Sequence, residues 1–307
     1  MIGSAITAFM AASIRTATPL AYAALGELVT ERSGVINIGL EGVIIAGAFG
    51  SVLCAQVGGI AAGFAGAAVG GVVLALVFAF FVVILRADQI ITGTAISMLG
   101  LGLTSALYSL TYRGAGAALH IPTMAPLEIP ILSDIPWIGP AVFIQPPSTY
   151  ALYLAVPALA WWMYRSMGGL VLRAVGENPE AVFGSGISPA RVQWWAIIFG
   201  GVMGGLSGGV LVLSQVGTFA EGMSAGRGYV AVAMVVLGRW RPFGVAGAAM
   251  LFGAAGALKF LAQATGWALP YELSLAFPYI LALVALAVLR GRAASPEALG
   301  RQISLSR

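Results

Sequence analysis

Cysteine and histidine are almost absent, with Cys54 and His120 the only examples in 307 residues. A disulfide framework, a thiolate metal cluster and a multi-histidine metal centre are therefore excluded. Charge is scarce as well: 8% of residues are charged, against roughly 25% in soluble domains. No Gly-x4-Gly-Lys-Ser/Thr stretch occurs, so these residues do not cradle ATP phosphates in the P-loop manner. The start of the chain is apolar but carries no basic n-region, its first positive charge being Arg15, which argues against a cleaved signal peptide. With one histidine, one cysteine inside an apolar run and scattered acids, the nucleophile–base pair of an integral membrane enzyme is missing too.

What the chain has in abundance is apolarity. It is 60% hydrophobic, with a mean hydropathy of +0.97. A bilayer helix needs roughly 20 mostly apolar residues, and runs of that kind fall near 3–28, 35–57, 59–85, 89–112, 149–165, 192–214, 226–238, 242–263 and 271–290. Nothing shows the alternating segments of a β-barrel. The expectation is an all-α polytopic transmembrane bundle forming one domain over 1–307, with some segments short or broken and a possible two-half pseudosymmetry.

The formal charge of +4 is not a nucleic-acid signature, because the basic residues lie between hydrophobic runs. They report orientation and contact with membrane lipid instead. Arg165, Arg173 and Arg191 flank one polar loop, Arg239 and Arg241 mark a turn, Arg86 marks another, and Arg290, Arg292, Arg301 and Arg307 crowd the tail. Taking these as cytoplasmic makes 166–191 a cytoplasmic loop, 291–307 a cytoplasmic tail, and 113–148 and 215–225 extracytoplasmic. The N-terminus stays open: one helix over 3–28 places it outside, a break near Arg15–Pro19 places it inside. Segment 113–148 carries Pro122, Pro126, Pro130, Pro136, Pro140 and Pro146, so it reads as a structured loop rather than a helix, with Trp137 as an interfacial anchor.

Glycine, at 42 residues, clusters at four-residue spacing: Gly59 and Gly63, Gly66 and Gly70, then Gly200, Gly204 and Gly208 beside Gly201, Gly205 and Gly209. Small residues so spaced let helix backbones approach closely, and packing inside one bundle is the simpler reading than a dimer interface.

Polar side chains inside these runs carry the functional reading. Asn37 and Glu41 stand four residues apart at the entrance to an apolar run. A charge at the bilayer centre costs about 2.5–3.5 kcal/mol on insertion scales. The pair either lines a route for a polar solute or bonds neighbouring helices. Glu31 and Arg32 read as an interfacial ion pair, and Asp88 and Gln89 open a helix, favouring a role at its N-terminal dipole. Arg239–Pro242 reads as a stop with an aromatic anchor. Glu221, Ser224 and Arg227 either line the extracytoplasmic mouth, contact a receptor, or sit in a solvated loop; the directions of Lys259 and Glu272 are open. Around Gly176, Glu177, Asn178, Pro179, Glu180 and Ala181, an N-cap, a proline at the first helical position and an acid in the first turn predict a short helix. Gly184 and Gly186 stop it. Such a capped knob held out in water is either an ordinary connecting turn or, the favoured reading, a docking element for a cytoplasmic partner.

Four segments together resemble one family: ERSGVINIGLEG at 31–42, ADQIITGTAIS at 87–97, VGENPEA at 175–181 and EGMSAGRGYVAVA at 221–233. They are similar to the permeases of bacterial ATP-binding-cassette importers for simple sugars and nucleosides, and most of all to the nucleoside branch with basic-membrane-protein-like lipoprotein receptors. The resemblance runs from about Pro19 to Arg290. It implies a multi-pass subunit of the bacterial cytoplasmic membrane, working with a second permease, separate ATPase subunits that bind ATP and Mg2+, and an extracytoplasmic substrate-binding lipoprotein. No cofactor would be bound by this chain. The 175–187 loop would be the coupling helix, and Asn37, Glu41 and Ser97 would belong to the pathway for a neutral polar solute. The family pattern leads one to expect asparagine at Ser97, and a hydroxyl there has a shorter reach. The competing reading is a secondary transporter or channel that needs no ATPase.

Overall fold

The structure is a computed structural model that describes residues 2–112, 121–136, 138–264, 280, 284 and 295–302. His120, Trp137, Glu272, the side chain of Lys259, Arg113, Arg290, Arg292, Arg307 and most of the 271–290 run lie outside the described residues.

The first helix, α1, is continuous from Ile2 to Arg32 although Pro19 lies inside it. Proline offers no N–H to the carbonyl four residues earlier, which here belongs to Arg15. The Gln215 side chain supplies the missing donor at 2.6 Å, and Ser207 bonds the Pro19 carbonyl at 2.7 Å. The region around Arg15–Pro19 is therefore one helix and not two.

Helix α2 (Leu40–Ala79) is a hairpin. Gly59, at φ 71° and ψ −165°, interrupts the helical backbone. On either side of it Gly50 meets Gly66, and Ala46 meets Gly70, backbone against backbone. The expected runs at 35–57 and 59–85 are thus two antiparallel arms, the second prolonged by a π-helical turn at Phe80–Ile84. Asp88 then caps α3 (Gln89–Thr111), accepting from the N–H groups of Ile90 and Ile91 at 2.9 Å each. That is the N-terminal role expected for it.

A short antiparallel pairing of β1 (Leu127–Glu128) with β2 (Ile144–Gln145) and the small helix α4 (Gly139–Phe143) organise the proline-rich segment. Helix α5 (Pro147–Arg165) leads back, followed by α6 (Met167–Glu177) and the six-residue α7 (Pro179–Gly184). Inside the 166–191 loop, α6 is an addition to what the sequence pattern showed.

Helix α8 (Pro189–Val210) is the packing axis, and its two glycine rows serve two neighbours. Gly204 and Gly208 lie against the first arm of α2, while Gly201, Gly205 and Gly209 lie against the second arm; Gly200 faces α1. Both rows are consumed by packing inside this one chain. After a π-helical turn at Leu211–Val216 come α9 (Arg227–Leu237), only 11 residues long, and α10 (Pro242–Ala264).

The bundle has two distinct ends. Arg32, Glu177 and Trp240 meet at one of them, where Arg32 donates to the Trp240 carbonyl at 2.7 and 3.0 Å and lies 3.9 Å from Glu177. The opposite end carries the Gly59 turn, the Ile121–Gly217 and Met124–Leu213 backbone bonds and the Tyr112–Gln56 contact. Among the described residues, three helical stretches are long and apolar enough to cross a membrane, Leu40–Ile84, Gln89–Thr111 and Pro189–Val216. The first of these folds into two crossings.

Two expectations are corrected at the Arg32 end. Glu31 and Arg32 do not pair with each other. Glu31 is buried and accepts the Trp240 indole N–H at 2.6 Å, while Arg32 takes the Trp240 carbonyl. Adjacent residues on a helix point about 100° apart, so one buried aromatic serves both more readily than they serve each other. Nor is Trp240 an interfacial anchor. At 4% exposure it is a staple between the end of α1 and the α9–α10 turn, where Arg239 and Trp240 both take positive φ.

Candidate functional site

Residues 33–39 leave the end of α1 and run back into the bundle before α2 starts at Leu40. Non-helical backbone at membrane depth survives only where protein satisfies its polar groups, and here side chains from three helices do so. The Asn37 N–H donates to Glu27 Oε1 of α1 at 2.8 Å, and the Ile36 N–H to Gln89 Oε1 of α3 at 2.8 Å. Ser97 Oγ donates to the Ile38 carbonyl at 3.0 Å, and Gln193 of α8 to the Ser33 carbonyl at 3.3 Å. Gly93 and Gly39 have no room for a side chain between α3 and the loop.

The second break lies opposite. Residues 217–226 descend without helix from the Ile121 end, and α9 begins beside Leu40 and Glu41, against whose backbone Gly228 is packed. Glu41 joins the two breaks. Its Oε1 accepts the Gly226 N–H and its Oε2 the Gly228 N–H, each at 2.7 Å. Glu41 is itself in the first turn of α2. Two helix N-termini, each equivalent to roughly half a positive charge, thus converge on one carboxylate, which offsets them.

In this accounting Asn37, at 1% exposure, leaves both its side-chain nitrogen and its side-chain oxygen without a hydrogen-bond partner among the described residues, while Glu27 and Ser224 each leave one oxygen so. The other pathway candidates are occupied, Ser97 by the loop carbonyl and Glu41 by α9. Of the three residues expected near the mouth, Glu221 is exposed, with Ser109 Oγ 3.5 Å away. Ser224 is buried, and the Arg227 guanidinium bonds the carbonyls of Met223 and Ser224 at 2.7 and 3.1 Å. These last two sit in the turn that delivers α9 to Glu41. Glu27 and Gln193 were not singled out from the sequence, and Gln89, expected at the N-terminal dipole of α3, instead bonds the loop at Ile36. Glu27 carried the signal: an acid inside an apolar run five residues before the end of α1 is as costly as Glu41.

At the Arg32 end, Asn178 Oδ1 accepts the Ala181 N–H at 3.0 Å, Pro179 opens α7, and Gly186 at φ 86° ends the excursion. Phe183 is half-exposed on this knob while Val182 is buried. Glu177, Asn178, Pro179 and Glu180 line a cleft of about 270 Å³ together with Glu297, Ala298, Arg301 and Gln302.

A family model described as the permease component of the branched-chain amino acid transport system matches residues 9–286. The chain belongs to this permease family. Among curated relatives, the permease is 36% identical to the guanosine ABC transporter permease protein NupQ of Bacillus subtilis, over 94% of each chain. It is 31% identical to the nucleoside ABC transporter permease protein NupC of Lactococcus lactis, over 92% of each chain. It is 38% identical to the putative glucose ABC transporter permease protein TsgC13 of Haloferax volcanii, over 84% of this chain and 78% of the relative. No solved structure matches. The permease is accordingly a multi-pass helical membrane subunit of the ABC-transporter kind, in which ATP hydrolysis belongs to a separate subunit.

Proposed function

We propose that this permease forms the translocation path for a nucleoside, with guanosine the leading candidate, across a bacterial cytoplasmic membrane. The observation that carries the reading is the meeting of two broken helices at Glu41, beside the buried and unpartnered amide of Asn37. Short, interrupted helices whose N-termini face a site near mid-bundle are a recurring way to bind solute in transporters. With Glu41 offsetting both helix dipoles, the site favours an uncharged solute recognised by hydrogen bonds. An amide that both donates and accepts suits a nucleobase edge or a ribose hydroxyl. The two relatives that cover more than nine-tenths of this chain are named for guanosine and for nucleosides, which favours nucleoside over glucose.

The arginine-bearing end is the cytoplasmic one by the positive-inside rule. There the knob α7, with Gly176, Glu177, Asn178, Pro179, Glu180, Ala181 and Gly186, docks an ATPase that binds ATP and Mg2+. A second, related permease completes the path, and a lipoprotein receptor delivers solute at the far end, where Glu221 is exposed. Asn37 contacts solute when the bundle opens, whereas Glu41 and Ser97 hold the two breaks in place.

The test is uptake of labelled guanosine into proteoliposomes. The permease assembled with its partner ATPase, second permease and receptor should accumulate guanosine only with ATP. Accumulation by the permease alone under an ion gradient would mean a secondary transporter instead. Glu180→Trp together with Ala181→Arg should abolish ATPase recovery on pull-down while leaving membrane insertion intact.

A further inference from the structure

Residues 295–302 lie across the Arg32 end as a strap, and three of their backbone groups are bonded to three different parts of the bundle. Ala298 donates its N–H to the Gly176 carbonyl at 2.9 Å, and Gly300 donates to the Gly34 carbonyl at 3.1 Å. The Gln89 amide donates to the Arg301 carbonyl at 3.5 Å. Pro296 and Ala298 are buried, and Leu299 packs against the main core.

The fit depends on backbone shape at both anchor points. Gly34 and Gly300 take φ of 90° and 74°, a region that side chains disfavour. A Cβ on Gly34 would stand 3.3 Å from the Ala298 carbonyl oxygen, and one on Gly176 would collide with the Arg32 carbonyl and meet Pro296. The positions of these anchors give the strap its interest. Gly176 is two residues before Asn178, the cap of α7. Gly34 is three residues before Asn37 and opens the non-helical loop. One short piece of chain, 298–300, is thus bonded at one side to the knob and at the other to the segment that presents Asn37. Glu27, Gln89, Ser97 and Gln193 hold that segment to the bundle. Arg32, just before it, touches Glu177 and the Gly176 backbone, and the strap adds a hydrogen-bonded link from Gly34 itself to Gly176.

We propose that residues 296–301 are a positioning segment that transmits displacement of α7 to loop 33–39, so that events at the ATPase reach the solute site. Movement of Gly176 away from Gly34 must break the Ala298 bond or carry Gly300, and Gly34 with it. The inference rests on the reading of α7 as the ATPase contact. Because the strap also lines the 270 Å³ cleft beside Glu177 and Glu180, a partner seated on the knob touches it directly.

Ala298→Pro removes the donor to Gly176, Ala298→Ser keeps it, and a chain ending at residue 294 lacks the strap altogether. Each is assembled with the ATPase, second permease and receptor in proteoliposomes, with guanosine as the probe. For Ala298→Pro and the shortened chain, ATPase recovery and ATP hydrolysis should stay within twofold of the parent while guanosine uptake falls at least tenfold; Ala298→Ser should match the parent. Hydrolysis that continues without transport is the signature, since a merely structural defect would lower both. Uptake within twofold of the parent in both variants overturns the proposal. So does loss of the ATPase from the complex in step with uptake, which would make the strap a docking element. Normal ATPase recovery by the Glu180→Trp, Ala181→Arg variant is a separate result and would instead remove the reading of α7.

Discussion

The Glu27 carboxylate accepts the backbone N–H of Asn37 at 2.8 Å, across a chain reversal of ten residues and with no exposure to solvent. This bond holds the non-helical loop against α1 at the depth where Asn37 is presented. Glu27→Gln keeps an acceptor oxygen in place and should retain folding and most uptake. Glu27→Leu orphans a buried N–H, which costs about 1–3 kcal/mol. Its melting temperature in detergent should fall clearly below that of Glu27→Gln, with guanosine uptake lost. Equal stability of the two variants would show that the loop does not need this acceptor.

Asn37→Leu tests the opposite case. The amide has no partner among the described residues, so an apolar side chain of similar size should leave stability unchanged or slightly raised. Assembly with the ATPase should persist while uptake falls at least tenfold, the split expected of a residue kept for solute rather than for packing. Full uptake by a stable Asn37→Leu protein would assign the side chain to packing.

The legible part of this molecule was whatever obeys periodicity or local chemistry. The break between the 35–57 and 59–85 runs, the helix start at Asp88 and the knob from Asn178 to Gly186 follow from short-range rules and appear where the residues put them. Gly59, however, turns the chain rather than packing as its spacing with Gly63 suggested. Asn37 and Glu41 were legible as expensive residues, but their work was not, because it depends on elements far along the chain. Glu41 is spent on Gly226 and Gly228, and Ser97 on Ile38. The Glu31–Arg32 pairing failed for the same reason: proximity in sequence suggested a pair, while a tryptophan 209 residues away took the acid. The strap was hidden most completely, since its bonds are made by backbone atoms and leave no side-chain pattern.

Trp240 joins α1 to the α9–α10 turn through both its indole and its carbonyl. Trp240→Phe keeps the carbonyl bond to Arg32 and most of the ring, but leaves the buried Glu31 without its donor. The expected loss is about 1–3 kcal/mol, the cost of an unsatisfied buried group. Adding Glu31→Gln, which brings a less costly neutral group to the same place, should recover part of it. A double-mutant cycle on thermal stability reads the coupling; additive effects would mean that the indole bond contributes nothing.

Glycines on this chain divide into those that carry helix contacts and those that do not, and substitution should separate them. A Cβ at Gly208 would collide with the Ile44 carbonyl and the Ala48 nitrogen, backbone atoms that cannot swing aside. Gly208→Ala must therefore push α8 away from the first arm of α2, and the cost should reach or exceed the ~1–3 kcal/mol typical of overpacked cores. Gly102 in α3 and Gly247 in α10 have no atom within 4 Å of a built Cβ. Alanine there should cost nothing and gain up to about 0.5–1 kcal/mol from lower backbone freedom in the unfolded helix. Size-exclusion profiles of fluorescently tagged variants after a heating series give the comparison directly. Gly208→Ala should aggregate at lower temperature than the parent, and Gly102→Ala and Gly247→Ala at the same or a higher one. Poor behaviour confined to Gly102→Ala would place that open face of α3 against another subunit in the assembled transporter.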